Sequence, residues 1–130
     1  MKITHLAIWT NDLERLRDFY CEYFDAKSNE KYINLVKQFS SYFLTFENGG
    51  CSLELMNRPN LTVMSDLELN SRTGLAHFAF SAGSKEKVDS HTKILKEAGY
   101  AVIGEARFTG DGFYESAIAD PDGNIVEITI

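Results

Sequence analysis

His5-Leu6-Ala7-Ile8 and His77-Phe78-Ala79-Phe80 are one segment written twice in residue type. In each, a histidine and an alanine alternate with bulky apolar residues, a period of two that reads as a half-buried strand. The spacing makes the repeat systematic: 72 positions separate His5 from His77, and 73 separate Glu54 from Glu127. The chain of 130 residues is therefore read as one structural unit used twice.

Outward from His5, residues 2–10 alternate as a strand, with His5, Ala7 and Trp9 on one side and Leu6 and Ile8 on the other. Asn11 is placed as a helix cap with Glu14 as its capping-box partner. Leu13, Leu16, Tyr20, Tyr23 and Phe24 then recur at helical spacing. Strands at 27–34, 41–47 and 51–56 follow, and Asn48-Gly49-Gly50 turns the last pair. From His77 the order repeats. Residues 75–82 form a strand, Ser84 caps a helix whose face is Val88, His91, Leu95 and Ala98, and Gly99 ends it in the left-handed conformation. Strands at 101–108, 113–119 and 125–130 complete the unit, with Asp120-Pro121-Asp122-Gly123-Asn124 as the final turn.

The fold class is thus α+β: two tandem βαβββ modules, 1–58 and 74–130, joined by a linker at 59–73 within a single domain. A helix covers one face of each sheet, and the bare faces are expected to curl together around a cleft. Stretch 61–73 is either a flap over that cleft or a plain connection.

Composition narrows the partners. Thirteen Lys and Arg stand against 19 Asp and Glu, a formal charge of −6. That balance excludes the basic face a nucleic-acid protein presents, and a basic membrane-surface helix with it. No apolar run approaches the ~20 residues of a membrane span. The first residues read as a strand rather than a signal peptide, and Cys21 and Cys51 read as reduced, so a cytoplasmic location is expected.

Side-chain parity puts the polar residues of interest together. Glu54 falls on the face opposite Leu53 and Leu55, and Glu127 on the face opposite Val126 and Ile128. His5 and His77 share faces with the small Ala7 and Ala79. Two imidazoles and two carboxylates converging on a cleft make a site for one divalent metal. The N/O donor set suits Ni, Zn, Co, Mn or Fe, and the lack of thiolate argues against a closed structural zinc site. Trp9, on the His5 face, is either the floor of an apolar pocket or an edge-of-core aromatic. Around Gly110 and Gly112 the chain is either a hinged loop bringing Tyr114 or Glu115 to a substrate or a turn with a solvated carboxylate. His91 is read as structural.

The blocks His5-Leu6-Ala7-Ile8, Asp18-Phe19-Tyr20, Leu53-Glu54-Leu55, Gly74-Leu75-Ala76-His77 and Asp120-Pro121-Asp122-Gly123-Asn124-Ile125-Val126-Glu127 resemble the vicinal oxygen chelate superfamily over nearly the whole chain. The His, Glu, His, Glu order looks like bacterial glyoxalase I. The resemblance implies that His5, Glu54, His77 and Glu127 bind one divalent metal with two waters. A substrate with neighbouring oxygens would replace those waters, with Glu127 as the base and Glu54 serving the opposite face. It also favours Glu115 on the metal side. Glutathione-dependent relatives carry an arginine four residues after the first histidine, whereas here Trp9 stands there and Arg58 follows Glu54 by four.

The expected activity is a metal-dependent lyase or isomerase acting on a small molecule, lactoylglutathione lyase-like, with Trp9, Arg58 and Glu115 at the substrate. The alternatives are an Fe(II) extradiol-type dioxygenase using His5, His77 and Glu127, or a drug-binding protein of the bleomycin-resistance kind. Relatives commonly pair two chains, so a homodimer is expected.

Overall fold

The computed structural model describes residues 1–63 and 73–130. The predicted linker therefore lies largely outside the described residues, and the flap reading of 61–73 with it. The chain divides into two compact units, Met1–Val63 and Met64–Ile130.

In the first unit the order is β1 (His5–Trp9), α1 (Leu13–Tyr23), β2 (Lys27–Ser28), β3 (Tyr32–Asn34), β4 (Phe39–Thr45) and β5 (Ser52–Asn57). The sheet runs β1-β5-β4-β2, with β3 also on β4. It is mixed, since β1 lies parallel to β5 while β4 is antiparallel to β5, β2 and β3. In the second unit β6 (His77–Ser81), α2 (Lys85–Glu97), β7 (Val102–Phe108), β8 (Tyr114–Ala119) and β9 (Ile125–Thr129) form the sheet β6-β9-β8-β7. Again the first strand is parallel to the last. Both units are α+β with a βαβββ order, the second strand of the first unit being interrupted.

Each helix packs on one face of its own sheet. Leu13, Leu16, Phe19 and Tyr20 of α1 are buried with Leu44, Leu53 and Leu55. Val88, Thr92 and Leu95 of α2 are buried with Ile118, Val126 and Ile128. Burying one such apolar side chain contributes about 1.5–3 kcal/mol, so these two layers hold the sheets' register.

Four local expectations need correction. The cap of α1 is Asp12, not Asn11: its carboxylate accepts the Arg15 N–H at 3.0 Å. That puts Glu14 too early for a capping box, and it binds Lys31 Nζ at 2.6 Å instead. The strand expected at 27–34 breaks after Ser28, because Asn29 turns its side-chain oxygen to the Phe43 N–H at 2.7 Å. The strand expected from 41 starts at Phe39. On α2, Thr92 rather than His91 or Ala98 enters the core. Its hydroxyl is satisfied by the Val88 carbonyl and by Ser116 Oγ, each at 2.6 Å. Gly99 ends α2 as expected, at φ +94°, with Tyr100 N–H on the Leu95 carbonyl and Gly99 N–H on the Lys96 carbonyl.

Candidate metal and substrate residues

In the first unit, parallel pairing sets Ala7 opposite Glu54, one step from His5 opposite Ser52. The helix takes the Leu53 and Leu55 side, so His5 and Glu54 share the open face. His5 Nε2 lies 3.8 Å from Glu54 Oε2. Thr4 Oγ1 lies 3.1 Å from His5 Nδ1, which steadies the ring with Nε2 toward the carboxylate. Phe43, directly opposite Glu54 in the antiparallel ladder, stands edge-on to the His5 ring at 5.5 Å.

The second unit repeats this register: Ala79 is opposite Glu127 and His77 opposite Ile125. His77 Nε2 lies 3.1 Å from Glu127 Oε2. The turn that feeds β9 is fixed by the buried Asp120, whose carboxylate accepts the N–H groups of Asp122 and Asn124 at 2.9 Å each. Burial pushes the Glu127 carboxyl above its ordinary 4.5, His77 opposes the rise, and Glu115 adds to it. In both pairs the carboxylate is the more sheltered partner: side-chain exposure is 43% for His5 against 16% for Glu54, and 47% for His77 against 18% for Glu127.

The face of Glu115, ambiguous by one residue in the sequence, is now fixed. Glu115 is opposite Thr129 and Ala117 opposite Glu127, so Glu115 and Glu127 share the open face. Arg107, one strand further out and opposite Glu115, reaches it at 3.6 Å. Sequence reading missed Arg107 and Phe43. Their signal was the ladder, since each lies opposite a carboxylate already singled out.

Trp9 lies on the open face of the first unit, 42% exposed. The Arg58 guanidinium sits over its ring at 4.5 Å, and Phe39 meets the ring edge-on at 6.2 Å. A concavity of about 400 Å³ at the β3–β4 hairpin is lined by residues 31, 33–35 and 38–40. It shares Phe39 with this aromatic group but includes none of the four candidate ligands.

Among the described residues no group of three His, Cys, Asp or Glu side chains able to hold a metal ion is formed. Each unit offers one imidazole and one carboxylate. Two ligands of one ion, each at about 2.1 Å and set at a right angle, lie about 3 Å apart. The His77–Glu127 pair fits that spacing, and the His5–Glu54 pair is within a small side-chain adjustment of it.

A family model described as the Glyoxalase/Bleomycin resistance protein/Dioxygenase superfamily matches residues 2–128. The chain belongs to this superfamily. Among curated proteins, an uncharacterized Bacillus subtilis (strain 168) protein, YqjT, is 43% identical over 60 residues. That match covers 44% of this chain and 47% of YqjT, so the chain matches about half of that relative's length. A Frankia glyoxylase/bleomycin resistance protein/dioxygenase domain shares the fold, with TM-score 0.82, 21% identity and coverage of 100% of this chain and 97% of that one. A glyoxalase family protein from Enterococcus faecalis gives TM-score 0.79 at 22% identity, covering 99% and 97% of the two chains. Glyoxalase I from Zea mays gives 0.77 at 22%, covering 98% of this chain and 44% of the maize protein. At these identities the solved structures establish the superfamily fold. No helix among the described residues is long and apolar enough to cross a membrane.

Proposed function

We propose that this superfamily member is a divalent-metal-dependent lyase or isomerase of glyoxalase I type, with His5, Glu54, His77 and Glu127 as the metal ligands. One observation carries the reading: both units present a histidine on the first strand and a glutamate on the last, in the same parallel register and on the open face. The donor set of two imidazoles and two carboxylates fits Ni, Zn, Co, Mn or Fe and leaves positions for substrate.

When bound, the ion supplies Lewis acidity that stabilises negative charge on substrate oxygens. The chain's own residues handle the proton. Glu127, its carboxyl raised by burial and by Glu115, takes the proton from the carbon beside the substrate carbonyl and returns it to the neighbouring carbon. Glu54, on the other unit's equivalent position, serves the opposite face. Arg107 holds Glu115 and so tempers the charge near Glu127. The substrate is a small molecule with two vicinal oxygens. Trp9 stands where the glutathione-dependent pattern has arginine, which supports a substrate other than a glutathione adduct.

The bare sheet faces also favour a homodimer, testable by sedimentation velocity. The function is tested by metal content per chain in protein purified without a metal-binding tag, beside His77→Ala. About one divalent ion per chain, lost in the variant, supports the reading. Protein that contains none, and takes up none when Ni, Co, Mn, Fe or Zn is supplied, overturns it in favour of a metal-free binding cleft.

A further inference from the structure

The two open faces are equivalent in backbone and opposite in chemistry. Register defines the counterparts. Phe43 opposes Glu54 as Ala117 opposes Glu127, Trp9 opposes Met56 as Ser81 opposes Thr129, and Tyr32 opposes Ser41 as Arg107 opposes Glu115. Where the second unit carries a small residue, a hydroxyl and a cation, the first carries three aromatic rings. Phe39 bridges two of them, meeting Trp9 at 6.2 Å and Tyr32 at 6.3 Å, while Phe43 stands against His5. Aromatic surface half open to water on one of two duplicated faces is costly unless something planar covers it.

The cation at its edge says what. The Arg58 guanidinium carbon lies 4.5 Å from the centre of the Trp9 ring, and no acidic side chain among the described residues engages it. In a chain of net charge −6 with acids in excess, an arginine left with its N–H fork open beside an aromatic shelf is a carboxylate receptor. We propose that Trp9, Phe39, Tyr32 and Arg58 form a substrate subsite for an aromatic carboxylic acid, the ring resting on the shelf and the carboxylate on Arg58. Trp9 and His5 are the two ends of β1, four residues apart, so the subsite lies about 13 Å along the strand from the His5–Glu54 pair. The small Ala7 lies between them on the same face. The substrate is then a long molecule with a vicinal-oxygen end at His5 and Glu54 and an aryl acid at the other. The placement of its reactive end rests on the metal-site reading. The subsite does not.

The test uses that independence. Trp9 is the chain's single tryptophan, so its emission reports the shelf directly. Full-length protein stripped with EDTA is titrated with phenylacetate, with its neutral analogue 2-phenylethanol, and with acetate. The expected result is a saturable change with phenylacetate in the millimolar range, at least tenfold weaker binding of 2-phenylethanol, and no change with acetate. Arg58→Met, at an exposed position, should weaken phenylacetate at least tenfold and leave 2-phenylethanol unchanged. No saturable change with phenylacetate, or equal binding of the acid and the alcohol to the unmodified chain, overturns the subsite. So does equal phenylacetate binding by Arg58→Met. Metal content plays no part in these readouts, so failure of the metal site and failure of the subsite are separable.

Discussion

His77 Nε2 stands 3.1 Å from Glu127 Oε2 across the parallel β6–β9 pair, and the duplicate pair, His5 and Glu54, keeps the same strands and faces at 3.8 Å. The parallel pairing of first and last strand in each unit makes this possible, because it brings residues distant in sequence within one ladder step. The carboxylates sit deeper than the imidazoles, so each histidine is the more accessible partner.

From this geometry we expect His77→Ala and His5→Ala each to lower metal affinity far more than they lower stability, since both rings are nearly half exposed. Glu127→Gln should cut turnover of any active α-ketoaldehyde adduct by at least a hundredfold, the scale of a lost general base. Metal content by mass spectrometry and initial rates on the same preparations check both. Full turnover by Glu127→Gln would remove it from the proton-transfer role.

The pH dependence has a definite sign. Burial, opposed by His77 and reinforced by Glu115, leaves the folded-state Glu127 carboxyl above 4.5, so the metal-free native state binds more protons than the unfolded chain just above that value. The associated stability is present below pH 4.5 and is lost as pH rises through the folded value. Glu14, Glu86, Asp89 and Asp111 are lowered and act in the opposite sense, so the total curve hides the effect. The difference between the unmodified chain and Glu127→Gln isolates it. Urea melts of EDTA-treated protein should show that difference shifting against the unmodified chain as pH rises from 4 to 7. A flat difference would mean that Glu127 is not raised.

Capping tests a place where local sequence misled by a single residue. Asp12 accepts the Arg15 N–H, so Asp12→Ala should cost roughly 0.5–2 kcal/mol in chemical denaturation. Asn11→Ala should be close to neutral. The reverse order would restore the cap inferred from sequence.

That slip shows where the sequence is legible. The repeat, the order of elements and the face of each of the four candidate ligands follow from period-two alternation and spacing, signals that extend over many residues. The helix cap, the break at Asn29 and the core position of Thr92 depend on one or two local hydrogen bonds each. Nothing in the residue type of Asn11 against Asp12, or His91 against Thr92, reveals which finds its partner. Glu115 lies between these cases: its face needed the β8–β9 ladder register, which the sequence of that hairpin leaves ambiguous by one residue.

Thr92 gives the last prediction. Its hydroxyl donates to the Val88 carbonyl and pairs with Ser116 Oγ, joining α2 to β8 through two polar groups in an apolar layer. Thr92→Val strands the buried Ser116 hydroxyl, and the loss should be about 1–3 kcal/mol. Ser116→Ala leaves Thr92 its bond to Val88, so the cost should be smaller. The double variant removes the orphaned group as well as the bond, and should be more stable than Thr92→Val alone. A urea double-mutant cycle measures all three. If the two losses simply add, Thr92 and Ser116 are not coupled, and the join between helix and sheet rests on the apolar layer and on the Tyr114 hydroxyl bound to Asp89.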